Sequence, residues 1–167
     1  MKTVPLDKDK HDRNTFDCGI EALNNYLRLM ANQQASKDNT RTFVLEDPNQ
    51  PQRIRGYYTL TMTPVDFNAL PAKLQKKHHH AQSGGLIARL AVDKREAKQG
   101  CGAFLLIDAM QKLLTASAIV AFPLIVVDAK DGAIAFYEKF GFTAFNDTPN
   151  KLFITMADVR NSLEVPP

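Results

Sequence analysis

The chain has 167 residues, 44% of them hydrophobic and 23% charged, enough apolar material for one folded domain without disulfides or metal. Two cysteines exclude a disulfide framework, and the lack of a long apolar run excludes a membrane-spanning helix. A net charge of +3 is too small to name a partner, and the first residues show no secretory apolar core, so a soluble, cytoplasmic protein is expected.

Ile20, Leu23, Leu27 and Met30 recur at spacings of three, four and three, which predicts an amphipathic helix within residues 16–37. Asp17 stands where it can cap the start. Residues 41–47 and 53–65 are rich in Val, Ile, Tyr, Phe and Thr and read as strands, with "DPNQPQ" turning between them. Residues 66–80 form a short helical or irregular connection, and 85–93 a strand. A helix follows over 102–118, with Phe104, Leu105, Ile107, Met110, Leu113 and Leu114 toward a core. The run "FPLIVVDA" is a strand covered on both faces. A helix over 131–140 stops at Gly141, and "FTAF" with "KLFITMA" closes a hairpin around "NDTPN". No repeat or linker interrupts this order, which predicts a single α/β domain over residues 1–167, a mixed central sheet flanked by helices.

The stretch "RLAVDKREAKQGCGAFLL", residues 89–106, carries the first chemistry. A strand runs through a short turn into a helix, whose first N–H groups and dipole favour an anion. Gly100 and Gly102 allow close approach to the backbone, and Arg95 and Lys98 can add charged bonds to phosphate oxygens. It is neither a Walker loop nor the Rossmann fingerprint. Alone, "GCG" reads equally as an ordinary helix start.

With "DAKDGAIAFYEKFGF" one strand and helix later, the chain resembles the GNAT N-acetyltransferases. Their pattern Q/R-x-x-G-x-G/A falls on Arg95, Lys98 and Gly100, with Lys98 in place of the first glycine. The pieces "FDCGIEALNNYL", "GYYTLT", "LPAKLQKK" and "ARLAVD" extend the resemblance to the acetyltransferase toxins of bacterial toxin–antitoxin modules, over residues 16 to about 156. That resemblance implies acetyl transfer from acetyl-CoA to the amino group of aminoacyl-tRNA, which blocks translation. It implies a small DNA-binding antitoxin as partner, and a homodimer fits the group.

The resemblance assigns Tyr137 as the proton donor to the departing thiolate; the alternative is a packing residue. Leu90, Ala91 and Val92 are expected to pair along the pantetheine arm, as an added strand would. Arg95, Lys98, Gln99, Gly100, Cys101, Gly102 and Ala103 are expected to hold the pyrophosphate. Cys101 lacks an evident base and reads as a small apolar residue rather than a nucleophile. Consecutive His78, His79 and His80 do not make a metal site, and no metal is expected. Arg28, Lys37, Arg41, Lys76, Lys77 and Arg89 are candidate tRNA contacts, beside Lys73; each block also reads as solvated surface, and Arg89 also as a structural cation. Two other functions stay open: a GNAT enzyme acting on a small amine or protein N-terminus, and a non-catalytic binding fold.

Overall fold

The computed structural model describes residues 1–130 and 132–163. Its strands are β1 (Thr3–Pro5), β2 (Arg41–Glu46), β3 (Ile54–Pro64), β4 (Ser83–Val92), β5 (Leu124–Asp128), β6 (Thr143–Phe145) and β7 (Thr148–Thr155). They form a seven-stranded sheet in the order β1-β2-β3-β4-β5-β7-β6. The helices are α1 (Glu21–Asn25), α2 (Ala31–Ser36), α3 (Ala72–Lys77), α4 (Cys101–Ser117), α5 (Ile134–Lys139) and α6 (Met156–Leu163). The mixed sheet with flanking helices agrees with the α/β arrangement expected from the sequence. Asp131, in the predicted helix 131–140, lies outside the described residues, as do the last four residues of the expected domain.

The backbone packs as two compact units. The first comprises Met1–Thr61 and Ile87–Ala109. Its β1, β2 and β3 are antiparallel neighbours, with Val4 opposite Val44 and Val44 opposite Tyr57. Phe16, Tyr26, Leu27, Val44, Ile54, Tyr57 and Ala91 close its core. The second unit comprises Met62–Leu86 and Met110–Pro167. Its β5 and β7 pair antiparallel with Val126 opposite Phe153, and Leu70, Leu124, Val126, Phe145 and Phe153 form its core. All four apolar residues of β5 are buried, as the unbroken run "LIVV" required.

The N-terminal helix departs from the expected face. Tyr26–Met30 is a π-helical turn in which the Ala31 N–H donates to the Tyr26 carbonyl, five residues back. The extra residue puts Ala31 in the core and leaves Met30 outside; Ile20 is also out, 56% exposed at the end of the helix. Asp17 is not the cap either. Ile20 occupies that position, and the Asp17 carboxylate instead accepts from Gly19 N, Asn24 Nδ2 and Lys94 Nζ. In α4 the buried set is Cys101, Leu105, Leu106, Ala109, Met110 and Leu113; Phe104, Ile107 and Leu114 are half-buried. Helix α6 begins where a strand end was expected, and Thr155 Oγ1 accepts from the Asp158 N–H at its start.

Glycine is required at Gly84 by close approach. A Cβ there would stand 2.9 Å from the Leu124 carbonyl oxygen and 2.8 Å from its Cδ1. The backbone of β5 cannot yield as a side-chain tip can. Gly84→Ala should therefore destabilise by about 1–3 kcal/mol, read as a melting temperature lower by roughly 3–10 °C. An unchanged melting temperature would contradict this packing.

Candidate functional site

In the first unit β4 ends at Val92 and the chain turns through a 3₁₀ segment, Lys94–Glu96, into α4. Leu90 and Val92 are half-buried and Ala91 is buried. Between Glu96 and Cys101 the backbone twice enters the left-handed region, at Lys98 (φ 63°) and Gly100 (φ 79°). Lys98 thus adopts the conformation that a glycine takes without cost, at the position where the pattern has glycine. Lys98, Gln99 and Gly100 are exposed; Gly102 and Ala103 are half-buried. The first turn of α4 leaves the N–H groups of Cys101, Gly102 and Ala103 without helical partners. Donors, a helix dipole and a lysine meet in one exposed turn, which suits a phosphate. Lys98→Gly should relieve the strained backbone by about 1 kcal/mol, seen as a melting temperature higher by about 2–4 °C.

Two ion-pair systems hold this turn. Asp93 is fully buried, and a buried charge needs partners. Arg95 supplies them: its Nε donates to Oδ1 at 2.9 Å and its Nη2 to Oδ2 at 2.8 Å, and Nη2 also reaches the Thr15 carbonyl. The Arg95 and Asp17 N–H groups donate to the same carboxylate. Burial pushes the Asp93 carboxyl up, but these partners outweigh it and hold it below the ordinary carboxylate range. The guanidinium read as a phosphate ligand is thus folded back onto Asp93.

The second system was missed from sequence. Glu96 is 7% exposed and takes Arg53 Nη2 at 2.6 Å and Arg55 Nη2 at 3.1 Å. Burial raises its pKa, the two arginines lower it more, and the net shift is downward. Arg53 also binds Asp47 at 2.9 Å. Arg53 and Arg55 flank Ile54 at a spacing of two, which puts both on one face of an extended chain; that was the legible signal. Arg55 Nη2 lies 3.5 Å from Cys101 Sγ. That thiol is buried, and burial pushes its pKa up, which suits a packing residue and not a nucleophile.

Of the candidate cations in this unit, Arg89 lies with its guanidinium carbon 3.5 Å from the Tyr26 ring centre and makes no ion pair among the described residues. Arg28 pairs with Glu21 and bonds Asn25, and Arg41 pairs with Asp38. Lys37 is exposed after α2.

In the second unit Lys73, Lys76 and Lys77 are exposed on α3. Lys76 and Lys77 sit in its last turn, where a cation complements the helix dipole. His79 Nδ1 lies 3.0 Å from the Lys76 carbonyl, and among the described residues no group of three metal-ligating side chains gathers. Tyr137 is on α5, its ring edge-on to Phe136 and Phe142 at 5.2 and 5.6 Å. It is 7% exposed, and its hydroxyl has no hydrogen-bond partner among the described residues. Among the described residues no fully buried side-chain polar atom is left unpaired, so this hydroxyl is not sealed inside the core. Burial pushes its pKa up to about 12, so the phenol keeps its proton throughout the physiological range.

Comparison with known proteins gives these features a context. The sequence profile of the acetyltransferase (GNAT) domain matches residues 78–162, the span that holds β4, the turn, α4, β5 and α5. A tRNA-acetylating toxin of Mycobacterium tuberculosis is 31% identical over 153 residues, covering 91% of this chain and 90% of its own. The structure of AtaT complexed with acetyl-methionyl-tRNAfMet superposes with a TM-score of 0.87 at 28% identity, over 96% of this chain and 98% of that one. A tyrosine-to-phenylalanine mutant of the AtaT toxin, bound to the C-terminus of the antitoxin AtaR and acetyl-CoA, gives 0.82 at 26%, over 98% of both. No helix among the described residues is long and apolar enough to cross a membrane. A domain match over half of the chain and a relative spanning nine-tenths of it lead to one conclusion: the chain belongs to the GNAT acetyltransferase family.

Proposed function

We propose that this chain is an acetyl-CoA-dependent N-acetyltransferase toxin that acetylates the amino group of aminoacyl-tRNA and so blocks translation. The observation that carries the reading is its likeness, along nearly the whole chain, to a tRNA-acetylating toxin, joined to an anion-ready turn at the start of α4. The reading treats residues 1–167 as one acetyltransferase domain, working in the cytoplasm where charged tRNA is found. A small DNA-binding antitoxin is its inhibitory partner, and a homodimer its assembly.

Acetyl-CoA supplies the acetyl group as a thioester. The N–H groups from Gln99 to Ala103, with the Lys98 ammonium, hold the pyrophosphate. The backbone of Leu90, Ala91 and Val92 lines the pantetheine arm. Tyr137 manages the proton: the amine sheds one as its bond to the acetyl carbon forms, and the sulfur takes one as the carbon–sulfur bond breaks. The phenol gives its proton to sulfur and is restored by the proton from nitrogen. With a pKa of about 12 it is protonated when the reaction begins, so it enters as the donor. No general base is needed where the amine is largely neutral: an α-amino group titrates at about 7.7–8.0, and an adjacent ester lowers it further.

The test is acetylation of bulk aminoacyl-tRNA with labelled acetyl-CoA, read by mass spectrometry of the released amino acids. N-acetylated amino acids are expected. Their absence, with a polyamine or peptide acetylated instead, would replace this substrate by a small amine or a protein N-terminus.

A further inference from the structure

The turn between β4 and α4 has two ends, Glu96 and Cys101, and one guanidinium touches both. Arg55 Nη2 is 3.1 Å from Glu96 Oε2 and 3.5 Å from Cys101 Sγ. The Arg55 carbonyl also accepts from the Asp93 N–H at 2.9 Å. A single residue of β3 therefore holds the approach to the turn and both ends of the segment that contains the left-handed residues, Lys98 and Gly100. Arg53 grips Glu96 more closely, at 2.6 Å, but its other bond goes to Asp47, away from the turn. The Arg55 side chain is 15% exposed and the Glu96 side chain 9%, so both are held within the fold and neither is a surface ion pair.

We propose that Arg55 is a positioning residue for acetyl-CoA: by holding Glu96 and Cys101 on one guanidinium, it sets the spacing across which the backbone N–H groups from Gln99 to Ala103 converge on the pyrophosphate. This rests on the acetyltransferase reading above. Arg55 does not touch the cofactor. Its effect is preorganisation: donors already in place lose little order when the anion arrives. A lysine would keep the charge, but its ammonium ends a flexible stem and is not held where the planar guanidinium holds Nη2.

The experiment compares Arg55→Met, Arg55→Lys and Arg53→Met with the parent protein. Calorimetry with acetyl-CoA gives the dissociation constant, steady-state assays give KM and kcat, and thermal melting gives stability. Arg55→Met is expected to raise the dissociation constant and KM for acetyl-CoA by about tenfold while kcat stays within about twofold. Arg55→Lys, the variant that retains the pairing charge, is expected to raise both by about threefold or more, and it carries the test alone if the Met variant does not fold. Arg53→Met is expected to lower the melting temperature yet leave KM within about twofold. Alkylation of Cys101 by iodoacetamide, followed by peptide mass without any cofactor, should quicken by about fivefold or more in the Arg55 variants. Equal rises in KM for the Arg53 and Arg55 variants, or a fall in melting temperature with KM unmoved, would overturn the proposal. If the parent protein itself fails to bind acetyl-CoA, the acetyltransferase reading falls first and this positioning role with it.

Discussion

Tyr137→Phe should lower turnover by about 10²-fold while acetyl-CoA binding stays within about twofold. The substitution removes one oxygen from a ring that is otherwise held by Phe136 and Phe142, so packing is nearly preserved. The missing hydroxyl has no protein partner among the described residues, so no hydrogen bond within the fold is lost with it. A fall in rate then measures chemistry and not stability. The pH profile gives an independent check. Burial raises the phenol to about 12, and a raised pKa keeps the protonated form dominant at every pH below it. The rate should therefore rise with pH as the substrate amine loses its proton near ~7, then stay level to pH ~10. A decline between pH 8 and 10 would mean that the donor titrates lower than its burial implies, and full turnover in the phenylalanine variant would return Tyr137 to a packing role.

The affinity for aminoacyl-tRNA should fall steeply with salt. Each phosphate neutralised by a cation releases counterions, with a log–log slope of about −0.7 to −0.9 per contact, so about six contacts cost roughly 10³-fold between 50 and 200 mM salt. Lys37, Lys76 and Lys77 are exposed and make no ion pair among the described residues, so their charges are available to an incoming phosphate. Arg28 and Arg41 must first share theirs with Glu21 and Asp38. Lys76→Glu with Lys77→Glu should raise KM for charged tRNA and flatten the slope, leaving acetyl-CoA binding unchanged. A flat salt response in the parent protein would point to a small amine as substrate.

Much of this was legible in the sequence, for identifiable reasons. Strands β2 to β5 announce themselves through β-branched and aromatic runs bounded by turn residues. The Lys98 position could be located by its pattern, and its left-handed backbone explains why the pattern has glycine there. Strand β1 is three residues ending in proline, too short to show a period, and its place depends on pairing Val4 with Val44, forty residues on. Helix α6 follows β7 with no glycine or proline between them, so no local signal marks the change. The clamp around the turn was hidden for a different reason. Arg55 and Glu96 are 41 residues apart, and a tertiary ion pair leaves no periodic trace. Arg95 was found by its pattern, but its partner Asp93 shows only when the side chains are placed.

The π-helical turn at Tyr26–Met30 bears on which changes in chain length this protein can absorb. A π turn is a helix that has accepted one residue too many without passing it to a loop. Deleting a residue from within it, such as the 59% exposed Leu29, would let the turn close into ordinary α-helix. Ala31 and everything after it would keep the face they now present, because the surplus residue is what the bulge stores. Deleting a residue from α1 or α2 has no such slack to draw on, and would swing all that follows by about 100° around the helix axis. A shortening by one residue is thus neutral in one turn of this segment and ruinous in the turns beside it, and an alignment gap between this chain and a shorter relative belongs inside the helix rather than in the nearest loop.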